Sequence, residues 1–287
     1  MSALVLLLSL ASHAGAVQDY QPGLPEDPEN PAIMAVNNSV SLAYLNSNLD
    51  YVEPSDEQAF NTGTSYLDYE RASLNGLRLA VNWMSPAYSD LYVHADWDWA
   101  SGRANYTGFD QKNNPVTGDS GATIQDFGLK IGKGIVTGRH WMLTPYGTFG
   151  GRHWTRVIGE GTSGDFNETY QHLYAGFGGL IQYAPSEGWV VTGDATLART
   201  FYAWINDAPD GLSHAPLGGS PLIKLGLEAD RRITDRLHAF IGFDYMYFRY
   251  GQSDVYLVPN SNPQLVVMEP ASETNMYNVT VGARFAY

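Results

Sequence analysis

The chain has 287 residues, with 16 Lys or Arg against 30 Asp or Glu, and its formal net charge is −14. A nucleic acid partner requires a basic surface for its phosphates, so this charge argues against such a partner. The chain contains no cysteine, which excludes a disulfide framework and a lipid anchor on an N-terminal cysteine. The length exceeds that of a typical domain but is common for a single all-β barrel.

The first residues have the features of a secretory signal peptide. The apolar run Ala3–Ala11 is far shorter than the roughly 20 residues that a membrane-spanning helix needs. It is followed by Ala14-Gly15-Ala16, a small-x-small cleavage site, so we expect export and cleavage after Ala16. The run lacks the usual preceding Lys or Arg, and a buried first helix is the alternative.

Residues 17–38 are rich in proline and acidic side chains. Pro22, Pro25, Pro28 and Pro31 stand among polar residues, a composition that favours extended backbone over a packed core. The segment is predicted to be a tether or a partial plug for the domain that follows, or a leader with no role. The domain boundaries expected from the sequence are therefore 1–16, 17–38 and 39–287.

From Ser39 onward, ten segments have the character of β-strands. Short turns and long polar loops alternate between them, which is the pattern of consecutive antiparallel hairpins. Eight strands with two outer hairpins is the alternative. The predicted strands are Ser39–Val52, Tyr66–Met84, Leu91–Ala100, Thr123–Gly132, His140–Arg152, Thr169–Tyr183, Trp189–Trp204, Leu222–Arg231, Leu237–Tyr250 and Met276–Tyr287. The predicted long loops are Glu53–Ser65, Ser101–Ala122, Thr155–Glu168, Ile205–Pro221 and Gly251–Asn275.

Apolar and polar residues alternate within these segments. The third segment has Val93, Ala95 and Trp97 on one face and His94 and Asp96 on the other, because successive side chains of a strand point to opposite faces. The apolar face is bulky and aromatic, and the polar face carries both signs of charge. This distribution favours an apolar outer surface in lipid over the filled apolar interior of a soluble barrel.

The last eleven residues alternate without a break and end on an aromatic residue of the apolar face. Such a strand resembles the closing strand of bacterial outer-membrane β-barrels, and the chain resembles their small surface-antigen and opacity-type porin-like members. The resemblance implies an all-β fold, a single antiparallel transmembrane barrel in a Gram-negative outer membrane. It also implies contact with outer-membrane lipid and lipopolysaccharide, a monomer, and recognition of the last strand by the barrel assembly machinery. The residues of this assembly signal are Tyr277, Val279, Val281, Phe285 and Tyr287.

The polar face of the ten segments predicts a network of charges inside the barrel. Isolated buried ions cost several kcal/mol, so these charges must be paired or hydrated. A ten-stranded barrel is close to the size at which side chains fill the lumen. A filled, ion-paired core and a narrow polar conduit are both compatible with this pattern. The predicted network is Arg78, His94, Asp96, Asp98, Asp126, Lys130, Asp194, Lys224, Glu228, Asp244 and Arg284.

A weaker resemblance, in topology only, is to the omptin proteases of the outer membrane. In that family two carboxylates near the outer end of strand three and an Asp-His pair in the fourth long loop flank a water. The corresponding residues here are Asp96 and Asp98 with Asp210 and His214. The Asp-His spacing departs from the family's Asp-x-His, so this arrangement is retained only as an alternative, and the expectation is that the protein is not an enzyme.

No motif indicates a cofactor or metal site. His94, His172 and His238 fall on inward positions, but nothing in the sequence brings them together. The net acidity is expected to lie in exposed loops, where it suits contact with cations or basic partners. The predicted functions, in order, are a structural or surface-interaction barrel, a narrow passive channel for small polar solutes, and an omptin-like surface protease.

Overall fold

Ten long antiparallel strands form one closed barrel in a computed structural model that describes residues 30–55, 65–109, 114–158, 166–207, 212–258, 264 and 266–287. The barrel strands are β1 Ser39–Pro54, β2 Tyr66–Ser85, β3 Leu91–Phe109, β4 Pro115–Lys133, β5 Trp141–Ile158, β6 Phe166–Ser186, β7 Trp189–Asp207, β8 Pro221–Arg232, β9 Leu237–Tyr250 and β10 Ser272–Ala286. Four short strands accompany them, at Ile135–Gly138, Leu212–Leu217, Tyr256–Leu257 and Val266–Val267.

The barrel closes between its first and last strands. Ser39 of β1 lies opposite Asn82 of β2 on one side and Ala286 of β10 on the other. Each remaining strand pairs with its neighbours in chain order. The ten-stranded prediction is therefore confirmed, and the eight-stranded alternative is wrong.

The strands are longer than predicted at the end that carries the long loops. β3 runs to Phe109 and β4 begins at Pro115, so most of the predicted loop Ser101–Ala122 is strand. The same extension shortens the other predicted loops, and Leu212–Leu217 pairs with β7 inside the predicted loop Ile205–Pro221. We call the end with the short turns the turn end and the other the loop end.

The half of the barrel nearest the turn end is apolar outside and polar inside. Leu42, Leu227 and Val281 point outward and are 56%, 58% and 53% exposed, whereas Arg78 and Asp98 point inward. An exposed apolar surface that continues around a closed barrel fits contact with lipid. The rings of Trp141 and Tyr183 stack with their centroids 4.3 Å apart at the turn-end edge of this surface, where interfacial aromatic residues are expected. We call this surface the apolar belt.

Toward the loop end the outward residues become polar and the inward residues become apolar. The same alternate positions of each strand still point inward. On β1, Tyr44 is the last outward apolar residue of the belt, and Asn46 and Asn48 follow it on the same face. The inward positions change in the opposite sense, so that Leu45 and Leu49 are almost fully buried. The loop half of the barrel is thus built like a soluble barrel around an apolar core. That core is Leu45, Leu49, Tyr51, Ala72, Leu74, Ala100, Ala104, Ala122, Ile124, Trp154, Tyr170, Tyr174, Ala203, Ile205, Leu212, Ala215, Leu217, Leu222, Met246, Phe248, Tyr250 and Met276.

A short helix, α1 (Pro31–Asn37), lies in the barrel at the turn end. Asn30 caps it by accepting from the backbone N–H groups of Ala32 and Ile33, and proline occupies its first turn. Ile33 is completely buried, and the Asn37 side chain exchanges two hydrogen bonds of 2.9 Å with Gln182 of β6. The end of segment 17–38 therefore occupies the turn-end mouth, while residues 1–29, including the signal peptide, lie outside the described residues. Among the described residues, no helix is long and apolar enough to cross a membrane.

Candidate functional site in the barrel lumen

The residues predicted for the lumen network surround one cavity of about 170 Å³ in the turn half of the barrel. The cavity is bounded at one end by Val36 and Asn37 of α1 and at the other by Tyr174 and Met246 of the apolar core. The network residues that line it are Arg78, His94, Asp96, Asp98, Asp126, Lys130, Asp194, Lys224, Glu228, Asp244 and Arg284.

Arg78 joins β2 to strands on both sides of the lumen. Its Nε and Nη2 donate to the two carboxylate oxygens of Asp98 on β3, each at 2.7 Å, and its Nη1 donates to Asp244 of β9 at 2.6 Å. A guanidinium held by two carboxylates in this way is strongly oriented, because the paired N–H groups match the two oxygens of one carboxylate. Arg78 therefore ties the β2–β3 wall to β9, three strands further round the barrel.

The other lumen cations are also partnered. Lys130 pairs with Asp194, Arg284 donates to Glu228 at 2.6 Å, and Lys224 donates to the Tyr174 hydroxyl at 2.7 Å. Such pairing is expected, since a buried charge without a partner would destabilise the fold by several kcal/mol.

Arg152 belongs to the same network but is absent from the predicted set. It lies on β5 and makes a bidentate pair with Asp126, both contacts at 2.7 Å. Arg152 is the last residue of a predicted strand, where the direction of a side chain is hard to predict. The alternation through Thr148, Gly150 and Arg152 carries the signal that it points inward.

The histidines and the residues of the omptin resemblance lie apart. His94 contacts Asp96 at 2.8 Å and His172 contacts the Tyr250 hydroxyl at 2.7 Å, each inside the lumen. His238 pairs with Asp230 at 2.6 Å. Within the described ranges, no group of three or more His, Asp or Glu residues is placed to hold a metal ion.

Asp96 and Asp98 lie in the turn half of β3 rather than at its outer end, because that strand continues to Phe109. Asp98 is held by Arg78 inside the lumen, whereas His214 is exposed and its ring lies 4.3 Å from that of Trp204. Asp210 lies outside the described residues. The structure therefore does not bring Asp96, Asp98 and His214 around one water.

A second cluster of charges lies in the loop half, and the sequence did not predict it. We call it the Arg156 cluster, and it consists of Arg156 of β5 with the carboxyl groups of Glu53, Asp68, Glu70, Glu168 and Glu269. Arg156 contacts Asp68 at 2.8 Å and Glu70 and Glu168 at 3.1 Å each. All six side chains are buried, so the expectation that the acidity lies in exposed loops is wrong for Glu53, Glu168 and Glu269.

Aromatic rings form the floor of the Arg156 cluster. The Arg156 guanidinium lies 4.8 Å from the ring centroid of Tyr51, 5.4 Å from that of Trp154 and 5.7 Å from that of Tyr170. Trp154 and Tyr170 stack with their centroids 5.2 Å apart. A cation over desolvated rings gains an attraction of about 2 kcal/mol or more. These three rings belong to the apolar core, so the cluster lies directly against that core.

Burial changes the protonation of the Arg156 cluster. Loss of water raises the pKa of Glu53 to about 8, and the nearby carboxylate of Glu269 adds to the effect. Loss of water also raises the pKa of Asp68, although the Arg156 charge opposes the shift. Burial away from water is the larger cause of both shifts, and neighbouring carboxylates add to it.

The residues of the predicted assembly signal form the outer face of the last strand. Tyr277, Val279, Val281 and Phe285 point outward and are exposed. The Tyr287 hydroxyl donates to the backbone oxygen of Asn82 at 2.7 Å, across the barrel closure. These residues therefore complete the apolar belt between β10 and its neighbours.

The comparisons with known proteins concern the fold. No family model and no curated protein matches the chain. The crystal structure of the outer membrane protease OmpT from Escherichia coli superposes with a TM-score of 0.55 at 11% identity, over 88% of this chain and 97% of OmpT. The chain has the fold of a bacterial outer-membrane β-barrel.

Other barrels match with lower scores. The transport unit of the autotransporter AIDA-I from Escherichia coli has a TM-score of 0.42 at 10% identity, over 92% of this chain and 100% of that unit. The outer membrane protein OprG from Pseudomonas aeruginosa has a TM-score of 0.34 at 11% identity, over 88% of this chain and 97% of OprG. A shared barrel fold does not specify an activity, because unrelated functions use the same architecture.

Proposed function

We propose that the protein is a closed outer-membrane barrel that acts through the surface of its loop half rather than as a pore. The observation that supports the proposal is that buried side chains occupy both ends of the lumen. Helix α1 fills the turn-end mouth, and the Arg156 cluster with its aromatic floor fills the loop end. Ion pairs such as Arg78 with Asp98 brace the space between them.

The proposed orientation follows from the apolar belt. Lipid covers the belt, the turn end faces the periplasm, and the loop half stands outside the membrane with its polar outer face in water. The protein is exported by the signal peptide, is monomeric, and contacts lipid and lipopolysaccharide along the belt. A rigid, water-exposed half barrel of this kind suits a structural or surface-interaction role, with cations or basic partners favoured by the net charge of −14.

A narrow conduit is the second candidate function. The cavity of about 170 Å³ favours it, because both signs of charge line a space large enough for several waters. A conduit would require both closures to move. In this reading, α1 and the Arg156 cluster would be gates rather than permanent plugs.

Conductance in planar bilayers separates the two candidates. We expect the wild-type protein to give no discrete current steps, because neither end is open. A variant with Ile33→Asp and Val36→Asp should expel α1, whose apolar side is buried, and should still give no steps while the Arg156 cluster remains. Reproducible ohmic steps in the wild type would refute the closed barrel. Steps only in the variant would identify α1 as the gate of a conduit.

Removal of Tyr287 tests the proposed location and assembly. We expect the truncated chain to accumulate in the periplasm and be degraded, because the terminal aromatic residue belongs to the predicted assembly signal. The measurement is the amount of protein in outer-membrane fractions and the access of external protease to its loops. As a matched control, Tyr88→Ala changes an exposed aromatic residue in a turn at the same end and should leave assembly intact. Normal abundance of the truncated chain in the outer membrane would contradict the proposal.

A further inference from the structure

The described part of the final loop, the connection between β9 and β10 (residues 251–258, 264 and 266–271), enters the loop-end mouth at Glu269. The Glu269 backbone N–H donates to the Ser253 Oγ at 2.9 Å, and the Ser253 backbone N–H donates to the backbone carbonyl oxygen of Glu269 at 3.0 Å. The two arms of the loop are therefore joined at these residues. Further out, Tyr256–Leu257 pairs with Val266–Val267. The described part of the loop is thus a small hairpin whose base is fixed at Glu269.

The Glu269 side chain connects this hairpin to the barrel wall. Tyr170 of β6 donates its hydroxyl to Glu269 at 2.6 Å, and the Tyr170 and Tyr51 oxygens are 3.3 Å apart. Tyr51 in turn donates to Glu53 of β1 at 2.7 Å. A continuous row of hydrogen-bonding groups therefore runs from the loop across the mouth to the first strand.

Acidic groups from several strands face Glu269 in this position. Glu168 and Tyr170 approach from β6, Asp68 from β2 and Glu53 from β1, while Arg156 of β5 supplies the positive charge. Glu70 of β2 also contacts Arg156, and Tyr106 of β3 lies within electrostatic reach of Asp68 and Glu53. One guanidinium cannot neutralise five carboxylates. An ionised Glu269 would therefore be repelled from the mouth, and a protonated one would not.

We propose that Glu269 is a proton-dependent latch, which holds the final loop in the barrel mouth when it is protonated and releases the loop when it ionises. The inference goes beyond the proposed function, because it concerns the movement of the loop and not the closure of the lumen beneath it. The aromatic floor stays in place in either state. Release of the loop would expose the carboxylates of the Arg156 cluster to the outside.

The pH range follows from the direction of the shift. Burial and the neighbouring Glu168 raise the pKa of Glu269 to about 8 when the loop is closed. A raised pKa means that the closed state binds the proton more tightly than the open state. Closure is therefore fully favoured below the ordinary pKa of a glutamate and is lost as the pH rises through about 8. For one proton the closed-to-open ratio changes by up to about tenfold per pH unit in this range.

Hydrogen exchange of the loop amides, followed by mass spectrometry on the full-length protein in lipid, tests the latch. After correction for the intrinsic pH dependence of exchange, protection of the segments around Ser253 and Glu269 should fall by more than about tenfold between pH 6 and pH 8. The protection of the β9 and β10 segments within the belt should be the same at both pH values. A wild-type protein with pH-independent protection in the loop would overturn the proposal without any variant.

Two substitutions and a control assign the effect to its residues. Glu269→Gln keeps an acceptor for Tyr170 but cannot ionise, so its loop should stay protected at both pH values. Glu53→Gln should reduce the pH dependence by removing a neighbouring charge. Asp254→Asn, an exposed change in the same loop, should behave like the wild type. A Glu269→Gln variant that loses protection between pH 6 and pH 8 as the wild type does would also overturn the proposal.

Discussion

Replacement of Arg156 by methionine should lower the free energy of unfolding by about 3–5 kcal/mol, because it leaves buried carboxyl groups without the guanidinium that pairs with them. The measurement is equilibrium unfolding in urea, with the protein in lipid vesicles and tryptophan fluorescence as the signal. The loss should be greater at pH 8 than at pH 5, since the carboxyl groups retain protons in acid. A loss that does not depend on pH would contradict the electrostatic explanation.

A matched control isolates burial as the cause. Arg71 on β2 makes a similar pair with Asp50, at 2.9 Å, but on the exposed outer surface of the loop half. Arg71→Met should give no measurable change, because water screens exposed ion pairs. Adding Glu70→Gln and Asp68→Asn to Arg156→Met should recover part of the lost stability. If the triple variant were no more stable than Arg156→Met alone, lost packing rather than unpaired charge would explain the effect.

Replacement of Leu42 by arginine should destabilise the barrel by about 2–4 kcal/mol in a bilayer, because this side chain points into lipid from the apolar belt. Leu42 lies between Leu79 of β2 and Ala283 of β10, well inside the belt. The measurement is again urea unfolding in vesicles of defined lipid. We expect the same substitution to reduce the yield of refolded, heat-modifiable protein.

Asn48→Arg is the control for Leu42→Arg, and it tests where the membrane ends. Both residues lie on the outward face of β1, six positions apart, but Asn48 belongs to the loop half. Its substitution should change the stability by about 1 kcal/mol or less, as for positions at or above the interface. An equally large loss at Asn48 would mean that lipid covers the loop half as well. The assigned boundary between Tyr44 and Asn46 would then be wrong.

The turn half of the barrel was predictable because one rule governs every strand there. Strict alternation gave the strand directions, and the polar face of Lys224, Glu228 and Asp244 lines the cavity. The outer ends of the strands were not predictable by that rule. The polarity inverts after Tyr44, so a search for outward apolar residues stops at that point although the strand continues to Pro54.

The Arg156 cluster was missed for the same reason. Glu53 and Glu168 lie on the loop side of the polarity change, where the sequence predicts loops. With the phase of β1 unchanged and only the polarity inverted, Leu49, Tyr51 and Glu53 form one inward series, which places a carboxyl group beside a buried aromatic residue. Glu269 carries no such signal, because its burial depends on how the final loop folds back and not on a strand.

The position of the polarity change also fixes the height of the apolar belt. The outward residues from Tyr277 of β10 to Tyr287, just past its end, remain apolar, and a segment of this length at the usual tilt of a barrel rises about 25 Å. A hydrogen-bonded cylinder cannot shorten or bend as a helix can, so the bilayer must adjust to it. Membranes thicker than this span would have to thin around the molecule, and the energy of that deformation would favour thin regions of lipid and bring neighbouring copies together.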